Sequence, residues 1–307
     1  MNIMFMGTPD FALVSIKKLW EKGYNVTSVV TRSDKGQGRN MKITMPPVKE
    51  FAIEKGINVY QPESLKNGEL LEVLKNEKPD LIIVVAYGKI LPEYVLDYPK
   101  YGCINLHGSI LPKLRGSAPI QWSVINGDEF AGATTMYMNK GLDTGDIIDV
   151  YKTQIGESET AGELYDRIAE EGAELLCETV EKIINGSATR TPQNDAEATY
   201  APMLTKEMGK IIFDRTAKEI YNQIRGLNPW PVAYITTNKG ILKVYSSEIT
   251  DENSVGIPGE ITDRKNALVI QTGKGKIEFK EVQLQGKKRM SAEDFLRGAG
   301  DLCIITE

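Results

Sequence analysis

The sequence is poor in the residues that build metal sites, disulfide frameworks and membrane segments. Its 307 residues include one histidine and three cysteines, Cys103, Cys177 and Cys303. An odd number of widely spaced cysteines predicts free buried thiols, and their spacing matches no metal-ligand motif, so we expect no metal. The amino-terminal MNIMFMG has no basic flank, and its apolar run is too short for a signal peptide or a membrane span. We therefore expect a cytoplasmic protein without a membrane partner.

A dinucleotide-binding fingerprint is also missing. The turn GTPDFA (7–12) follows the first apolar run, where a dinucleotide-binding fold carries its phosphate-binding glycines, but it contains only one glycine. The G-x-G-x-x-G spacing is therefore absent, which argues against an NAD-dependent oxidoreductase. We expect this turn to line a substrate pocket.

Excess positive charge is missing too, because the formal net charge is -5. This balance argues against a protein that coats itself with nucleic acid. Residues 206–307 nevertheless hold 16 Lys and Arg against 14 Asp and Glu, whereas residues 1–205 hold 21 against 28. A mildly basic end on an acidic chain suits a polyanionic partner that is held mainly at that end.

The first two-thirds of the chain alternates strand and helix patterns. A helix is predicted from about Asp10 to Lys22, with Gly23 as its C-cap. Buried strands are predicted at 25–31, 80–86 and 102–108. This βαβ rhythm predicts a Rossmann-like, doubly wound, mostly parallel sheet over residues 1–186. A long helix closes the region, and Thr160 and Glu163 have the spacing of a capping box at its start.

The remainder of the chain predicts a linker and a second domain. Residues 187–205 are polar and rich in turn formers, which is typical of a linker. One amphipathic helix is expected around Asp214–Arg225, and β-like runs follow it. In the last run Ile277 and Phe279 alternate with polar residues, and the phase then slips before Val282, which indicates a bulge. We predict that residues 206–307 form a small, partly open β-barrel of the oligonucleotide-binding type.

The stretch NLHGSILPKLRGSAPI (105–120) carries the strongest chemical signal. Asn105 and His107 lie two residues apart at the end of a predicted strand, so their side chains share one face. The chain then turns at Gly108, at the carboxyl edge where open α/β sheets bind ligands. His107, the single histidine, is the one imidazole available as a proton carrier near neutral pH.

A later loop, NKGLDTGDII (139–148), adds a carboxylate. Gly141 and Gly145 bracket Asp143 in a tight connection. Taken alone, an Asp between two glycines is as readily a turn former as a catalytic group. Together with Asn105 and His107, however, it completes an amide, an imidazole and a carboxylate.

Asn105, His107 and Asp143, together with SILP at 109–112, resemble the site of the folate-dependent formyltransferase family. The resemblance implies that an amine attacks the formyl carbon of 10-formyltetrahydrofolate, a co-substrate that leaves as tetrahydrofolate, with no tightly bound cofactor. It implies that Asn105 donates to the formyl oxygen as in an oxyanion hole, and that imidazolium at His107 is a second donor. Asp143 would orient His107, favour its charged form and accept or relay the amine proton.

The same resemblance implies a folate-contacting segment. It comprises Ser109, Ile110, Leu111 and Pro112, a stiff and largely apolar turn that suits a flat pterin ring. Ile110 stands where the family more often has Leu, a volume-conserving change. The roles of Lys113 and Arg115 stay open between the acidic tail of folate and RNA phosphate.

Two further features resemble the family members that formylate initiator methionyl-tRNA. Residues 31–49 form a basic, Gly-rich insertion that is expected to be a mobile surface loop. The resemblance implies that Arg39 enters the tRNA acceptor stem and that Lys42 contacts phosphate. The predicted C-terminal barrel has RGLNPWP (225–231) at its start. The resemblance implies that this barrel lies along the tRNA. Val232 follows where the family commonly has Gly, which affects only local loop geometry.

Two other interpretations of the chain's function remain open. A formyltransferase acting on a sugar-nucleotide amine would share the catalytic core but should lack the basic insertion. A non-catalytic RNA-binding module on a decayed enzyme scaffold is disfavoured because all three site residues are present.

Overall fold

The computed structural model describes residues 1–37, 42–66 and 68–305, without the side chains of 35–37 and 42–43. The described chain divides into two compact units. The first comprises Met1–Pro119, Ala131–Thr153 and Tyr165–Ala201. The second comprises Ile120–Phe130, Gln154–Leu164 and the chain from Pro202 onward.

The strands are numbered in chain order. They are β1 (Ile3–Gly7), β2 (Val26–Val30), β3 (Lys35–Gln37), β4 (Lys42–Thr44), β5 (Asn58–Tyr60), β6 (Leu81–Val85), β7 (Cys103–His107), β8 (Arg115–Gly116), β9 (Phe130–Tyr137), β10 (Ile147–Gln154), β11 (Tyr200–Ala201), β12 (Ala233–Thr237), β13 (Gly240–Asp251), β14 (Ile261–Asp263), β15 (Leu268–Gln271), β16 (Lys276–Leu284) and β17 (Met290–Ser291). The helices are α1 (Asp10–Glu21), α2 (Pro47–Glu54), α3 (Leu71–Glu77), α4 (Glu93–Leu96), α5 (Pro119–Asn126), α6 (Ala161–Ile184), α7 (Ala217–Gly226) and α8 (Ala292–Ala299).

The first unit is built on a mostly parallel sheet of order β10-β9-β7-β6-β1-β2-β5. The central strands β1, β6 and β7 are buried along their whole length, as the continuous apolar runs of β1 and β6 predict for those two strands. They are parallel and in register, with Gly7 beside Val85 and Val85 beside Leu106. Their carboxyl ends therefore share one edge of the sheet. The GTPDFA turn and the NLH strand end both lie at this edge.

The helix signals in the sequence are confirmed at two places, although the C-cap of α1 is Lys22 and not Gly23 as predicted. Helix α1 begins at Asp10, and the residue after its C-cap, Gly23, has a φ of +78°. Such a left-handed backbone favours glycine. At the start of α6, Thr160 Oγ1 accepts from the Glu163 amide while Glu163 accepts from the Thr160 amide. These reciprocal bonds are the predicted capping box.

The second unit contains an antiparallel, curled sheet of order β12-β13-β16-β15-β14 with β17 beside β16. The predicted phase slip is confirmed: Val244 pairs with Val282 and Ser247 with Phe279, and the register shifts between them. Ile277, Phe279 and Val282 all remain buried because the bulge absorbs the slip. The sheet, α7 and α8 enclose one apolar core. Of these helices, α8 was not expected from the sequence.

Strands occur in the two segments that were expected to be a surface loop and a linker. Within the basic insertion, the described strands β3 and β4 pair antiparallel. Within residues 187–205, β11 pairs in parallel with β8, and the first unit extends to Ala201. Among the described residues, no helix is both long enough and apolar enough to cross a bilayer.

Candidate active site

Strand β7 presents Asn105 and His107 at its carboxyl end. Both side chains are buried, with 8% and 6% of their surface exposed. The strand lies between β6 on one side and β9 on the other, so its backbone is held from both sides. The side-chain amide of Asn105 makes no hydrogen bond to the described chain. Its N–H groups are therefore free to bind a substrate oxygen.

The hydrogen bond that fixes the imidazole ring comes from Leu114. His107 Nε2 lies 2.9 Å from the Leu114 carbonyl oxygen. A carbonyl oxygen only accepts hydrogen bonds, so Nε2 carries a proton and donates it. Leu114 itself has a φ of +57°, a left-handed conformation that directs its carbonyl at the ring. This contact leaves the second ring nitrogen, Nδ1, available for another partner.

Asp143 faces that second nitrogen. Its Oδ2 atom lies 3.7 Å from His107 Nδ1, too far for a direct hydrogen bond but close enough for electrostatic attraction. The same oxygen accepts a 2.8 Å hydrogen bond from the Gly116 amide. The structure thus brings Asn105, His107 and Asp143 to one edge of the sheet.

The loop that carries Asp143 is tightly constrained. Asp143 has a φ of +53°, which is unusual for a residue with a side chain. Asn139 Oδ1 accepts from the Gly141 amide and from the Thr144 hydroxyl. A Cβ atom on Gly145 would lie 1.6 Å from the Tyr137 carbonyl oxygen. The glycine predicted as part of a tight connection is therefore required by this close approach.

The SILP segment (109–112) is tied to the sheet by Thr134 on β9. Thr134 is the cross-strand partner of His107 and is fully buried. Its hydroxyl donates to the Ser109 carbonyl at 2.6 Å and accepts from the Leu111 amide at 3.2 Å. Ser109 also closes its own turn by donating to the Lys113 carbonyl. Thr134 was not predicted from the sequence, because only its cross-strand pairing with His107 brings it to the SILP segment.

Ile110 and Pro112 complete the segment as partly exposed side chains. Ile110 packs over Gly132, where an added Cβ would lie 2.9 Å from the Ile110 side chain. The Leu111–Pro112 peptide bond is cis. The segment therefore places an apolar wall beside His107 and leaves two of its four side chains accessible.

Arg115, whose role the sequence left open, is buried against residues of the 187–205 segment. Its side chain is 2% exposed and donates to Gln193 Oε1 and to Asp195 Oδ1. Within the described chain the guanidinium is thus committed to residues of the 187–205 segment. Lys113, in contrast, is exposed. Gln193 was not singled out from the sequence, because a glutamine in a polar stretch carries no local signal.

The residues expected to contact tRNA cannot be placed in this site. Arg39 lies outside the described residues, and the side chain of Lys42 is not described. Another cation of the insertion, Lys49, lies on α2 and pairs with Asp34 at 2.8 Å. That contact also lowers the pKa of the Asp34 carboxyl. Lys49 is therefore held within the protein by the one acid of the insertion.

Two of the three cysteines, Cys103 and Cys177, are buried thiols. Burial raises the pKa of Cys103 to about 12 and that of Cys177 to about 11, so both stay protonated. Cys303 is exposed, contrary to the expectation that all three are buried. Among the described residues, no group of three or more His, Cys, Asp or Glu side chains is arranged to hold a metal ion.

Two family models match the chain in succession. The model described as formyl transferase matches residues 1–180, and the model described as formyl transferase, C-terminal domain, matches residues 203–300. The chain belongs to the formyl transferase family. The expectation drawn from the NLH, SILP and LDTGD stretches is confirmed at the level of the family, as is the α/β fold followed by a small barrel-like domain.

Curated formyl transferases of several bacteria are similar to the chain over almost its whole length. The methionyl-tRNA formyltransferase of Caldanaerobacter subterraneus subsp. tengcongensis is 47% identical, and the alignment covers 97% of each chain. That of Clostridium novyi is 48% identical, again over 97% of each chain. That of Clostridioides difficile is 46% identical with the same coverage.

Solved structures share the fold at lower identity. The N-formyltransferase of Helicobacter canadensis, solved with folinic acid and dTDP-3-aminofucose, has a TM-score of 0.69 and 23% identity, and the match covers 90% of this chain and 98% of that one. HypX of Aquifex aeolicus, solved with tetrahydrofolic acid, has a TM-score of 0.65 and 17% identity, and covers 96% of this chain but 47% of its own. At these identities the likeness concerns the fold alone.

Proposed function

We propose that the chain transfers the formyl group of 10-formyltetrahydrofolate to the amino group of initiator methionyl-tRNA. The observation that carries the proposal is full-length similarity. Curated methionyl-tRNA formyltransferases are 45–48% identical over 97% of the chain, which includes both the catalytic part and the C-terminal part. The cytoplasm, where tRNA is charged, is the proposed site of the reaction.

The proposed chemistry uses Asn105, His107 and Asp143. The amine lone pair attacks the formyl carbon, the new carbon–nitrogen bond forms, and negative charge builds on the formyl oxygen. The unpaired amide of Asn105 donates to that oxygen, and protonated His107 donates from Nδ1 because Nε2 is engaged by Leu114. The bond to the folate nitrogen then breaks. The proton that the amine loses passes by way of Asp143 and ends on that nitrogen, giving tetrahydrofolate.

The proposed binding regions follow the same division of the chain. Residues 1–186 would form the catalytic domain. Within it, the turn formed by Ser109, Ile110, Leu111 and Pro112 would contact folate. Hydrogen bonds with Thr134 support this turn. Residues 206–307, which follow the 187–205 linker in the chain, would bind tRNA. Arg39 and Lys42 would contact the acceptor stem. No metal takes part in this proposal.

A sugar-nucleotide acceptor is the second candidate. The Helicobacter canadensis structure contains an amino-sugar nucleotide and shares the fold, but it is only 23% identical to this chain. The acceptor assignment therefore follows the more similar relatives.

Purified protein should be supplied with 10-formyltetrahydrofolate and, in separate reactions, initiator methionyl-tRNA, elongator methionyl-tRNA and a dTDP-amino sugar. The proposal predicts the highest kcat/KM with the initiator tRNA. Turnover of the amino sugar with both tRNAs left unformylated would refute the proposed acceptor while leaving the family assignment intact.

A further inference from the structure

Residues 191–201 form a strap within the first unit. At one end, Thr191 exchanges two backbone hydrogen bonds with Ile147, at 2.8 and 2.9 Å. At the other end, the Ala201 carbonyl accepts from the Ser117 amide at 2.8 Å. Between these anchors the strap crosses the two loops that carry Leu114 and Asp143. A segment that is polar and turn-rich in sequence is thus held at both ends against the candidate active site.

Gln193 is the strap residue that holds the Asp143 loop. Its Nε2 atom donates to the Asp143 carbonyl at 2.9 Å and to the Gly145 carbonyl at 2.7 Å. Its Oε1 atom accepts from the buried Arg115 guanidinium. The left-handed backbone at Asp143 is unfavourable by itself and persists only where surrounding contacts determine it. Both N–H groups of Gln193 supply such contacts.

Thr199 has the corresponding contacts to the other loop. Its hydroxyl accepts from the Leu114 amide at 2.9 Å, and its carbonyl accepts from the Arg115 amide at 2.8 Å. Leu114 is left-handed like Asp143, and its carbonyl is the acceptor for His107 Nε2. Thr199 therefore acts on the His107 imidazole through Leu114 alone.

We propose that the strap is the positioning element of the formyl-transfer site, with Gln193 setting the Asp143 carboxylate and Thr199 setting the His107 ring. The inference rests on the proposed function and assigns a role to a segment that the sequence presents as a linker. Neither residue touches the reacting atoms, so both are positioning residues. A displacement of about 1 Å in a catalytic group typically costs on the order of 10²-fold in rate, which sets the expected effect.

The variant Gln193→Glu separates positioning from simple structural support. A carboxylate at 193 keeps the acceptor for Arg115 but removes both N–H donors to the carbonyls of Asp143 and Gly145. We expect kcat for formyl transfer to fall by about 10²-fold with little change in KM for either substrate. The matched control is Glu197→Ala in the same strap, where the exposed side chain accepts only from Asn194 among the described residues. This control should retain wild-type kcat.

Thr199→Val supplies an independent test, because it removes the hydroxyl that holds Leu114 and keeps the side-chain shape. Since His107 is the only histidine, ¹⁵N NMR of the imidazole reports its position in the intact protein without overlap. We expect the imidazole signals to move in Thr199→Val but not in Glu197→Ala, with kcat again reduced. Thermal unfolding identifies a variant that fails to fold. If either Gln193→Glu or Thr199→Val fails to fold, the remaining variant decides the inference.

Wild-type kcat in a folded Gln193→Glu or Thr199→Val variant would overturn the inference. Equal losses in those variants and in Glu197→Ala would also overturn it, because the strap would then be merely structural. Failure of the wild-type protein to formylate methionyl-tRNA would refute the proposed function instead. In that event unmoved imidazole signals in Thr199→Val would still refute the positioning role.

Discussion

Asn105 is a buried amide whose side chain makes no hydrogen bond to the described part of the fold. Polar groups in such positions are normally paired, so an unpaired donor at a sheet edge is more useful to a ligand than to stability. Its neighbour His107 is arranged in the opposite way, with one nitrogen committed to Leu114 and the other turned toward Asp143. Together they offer fixed donors beside a carboxylate.

Asn105→Ala should reduce kcat by about 10²–10³-fold, the usual cost of losing an oxyanion donor. The substitution breaks no hydrogen bond of the described fold, so the midpoint of thermal unfolding should barely change. Steady-state formylation and a thermal melt measure the two effects. The control is Asn185→Ala, an exposed asparagine of the same unit just after α6. Near-wild-type kcat in Asn105→Ala would remove the amide from the mechanism.

Local signals in the sequence were sufficient for most of the elements that position the site. The short stretch CINLH between two glycines predicts β7, and Thr160 with Glu163 predicts the start of α6. The strap contacts of Gln193 were not predictable, because they join residues about 50 positions apart through backbone carbonyls. Thr134 was missed for the same reason. Long-range register and side-chain-to-backbone bonds leave no periodic trace in a single sequence.

The capping box at α7 predicts a pH-dependent contribution to stability. Glu219 accepts from the Thr216 hydroxyl and amide, which lowers the pKa of Glu219 below its ordinary 4.5. A lowered folded-state pKa means that the stabilisation is present above pH 4.5 and is lost as pH falls through the lower value. Glu219→Ala should therefore lower the midpoint of thermal unfolding at pH 7, with a difference that narrows in acid.

Melts of both proteins between pH 7 and pH 3 test this expectation. Glu260→Ala serves as the control, since that exposed carboxylate makes no hydrogen bond to the described residues. A difference between wild type and Glu219→Ala that stays constant down to pH 3 would contradict the assignment.

For the whole molecule, the family and the fold class, a mostly parallel α/β sheet followed by a small barrel-like domain, were predicted and confirmed. The models for the formyl transferase and its C-terminal domain follow one another at 1–180 and 203–300. The mild positive balance of residues 206–307 on an acidic chain agrees with the proposed tRNA partner. The residues proposed to contact that tRNA, Arg39 and Lys42, rest on resemblance and stay predictions.

The formyl group is proposed to pass from folate to the amine of methionyl-tRNA at this site. The most direct measurement supplies 10-formyltetrahydrofolate labelled in its formyl carbon together with initiator methionyl-tRNA, and follows the label and the folate product. We predict one labelled formyl group on the methionine nitrogen for each tetrahydrofolate formed. Release of the label as free formate, or its absence from the tRNA while tetrahydrofolate accumulates, would contradict the claim.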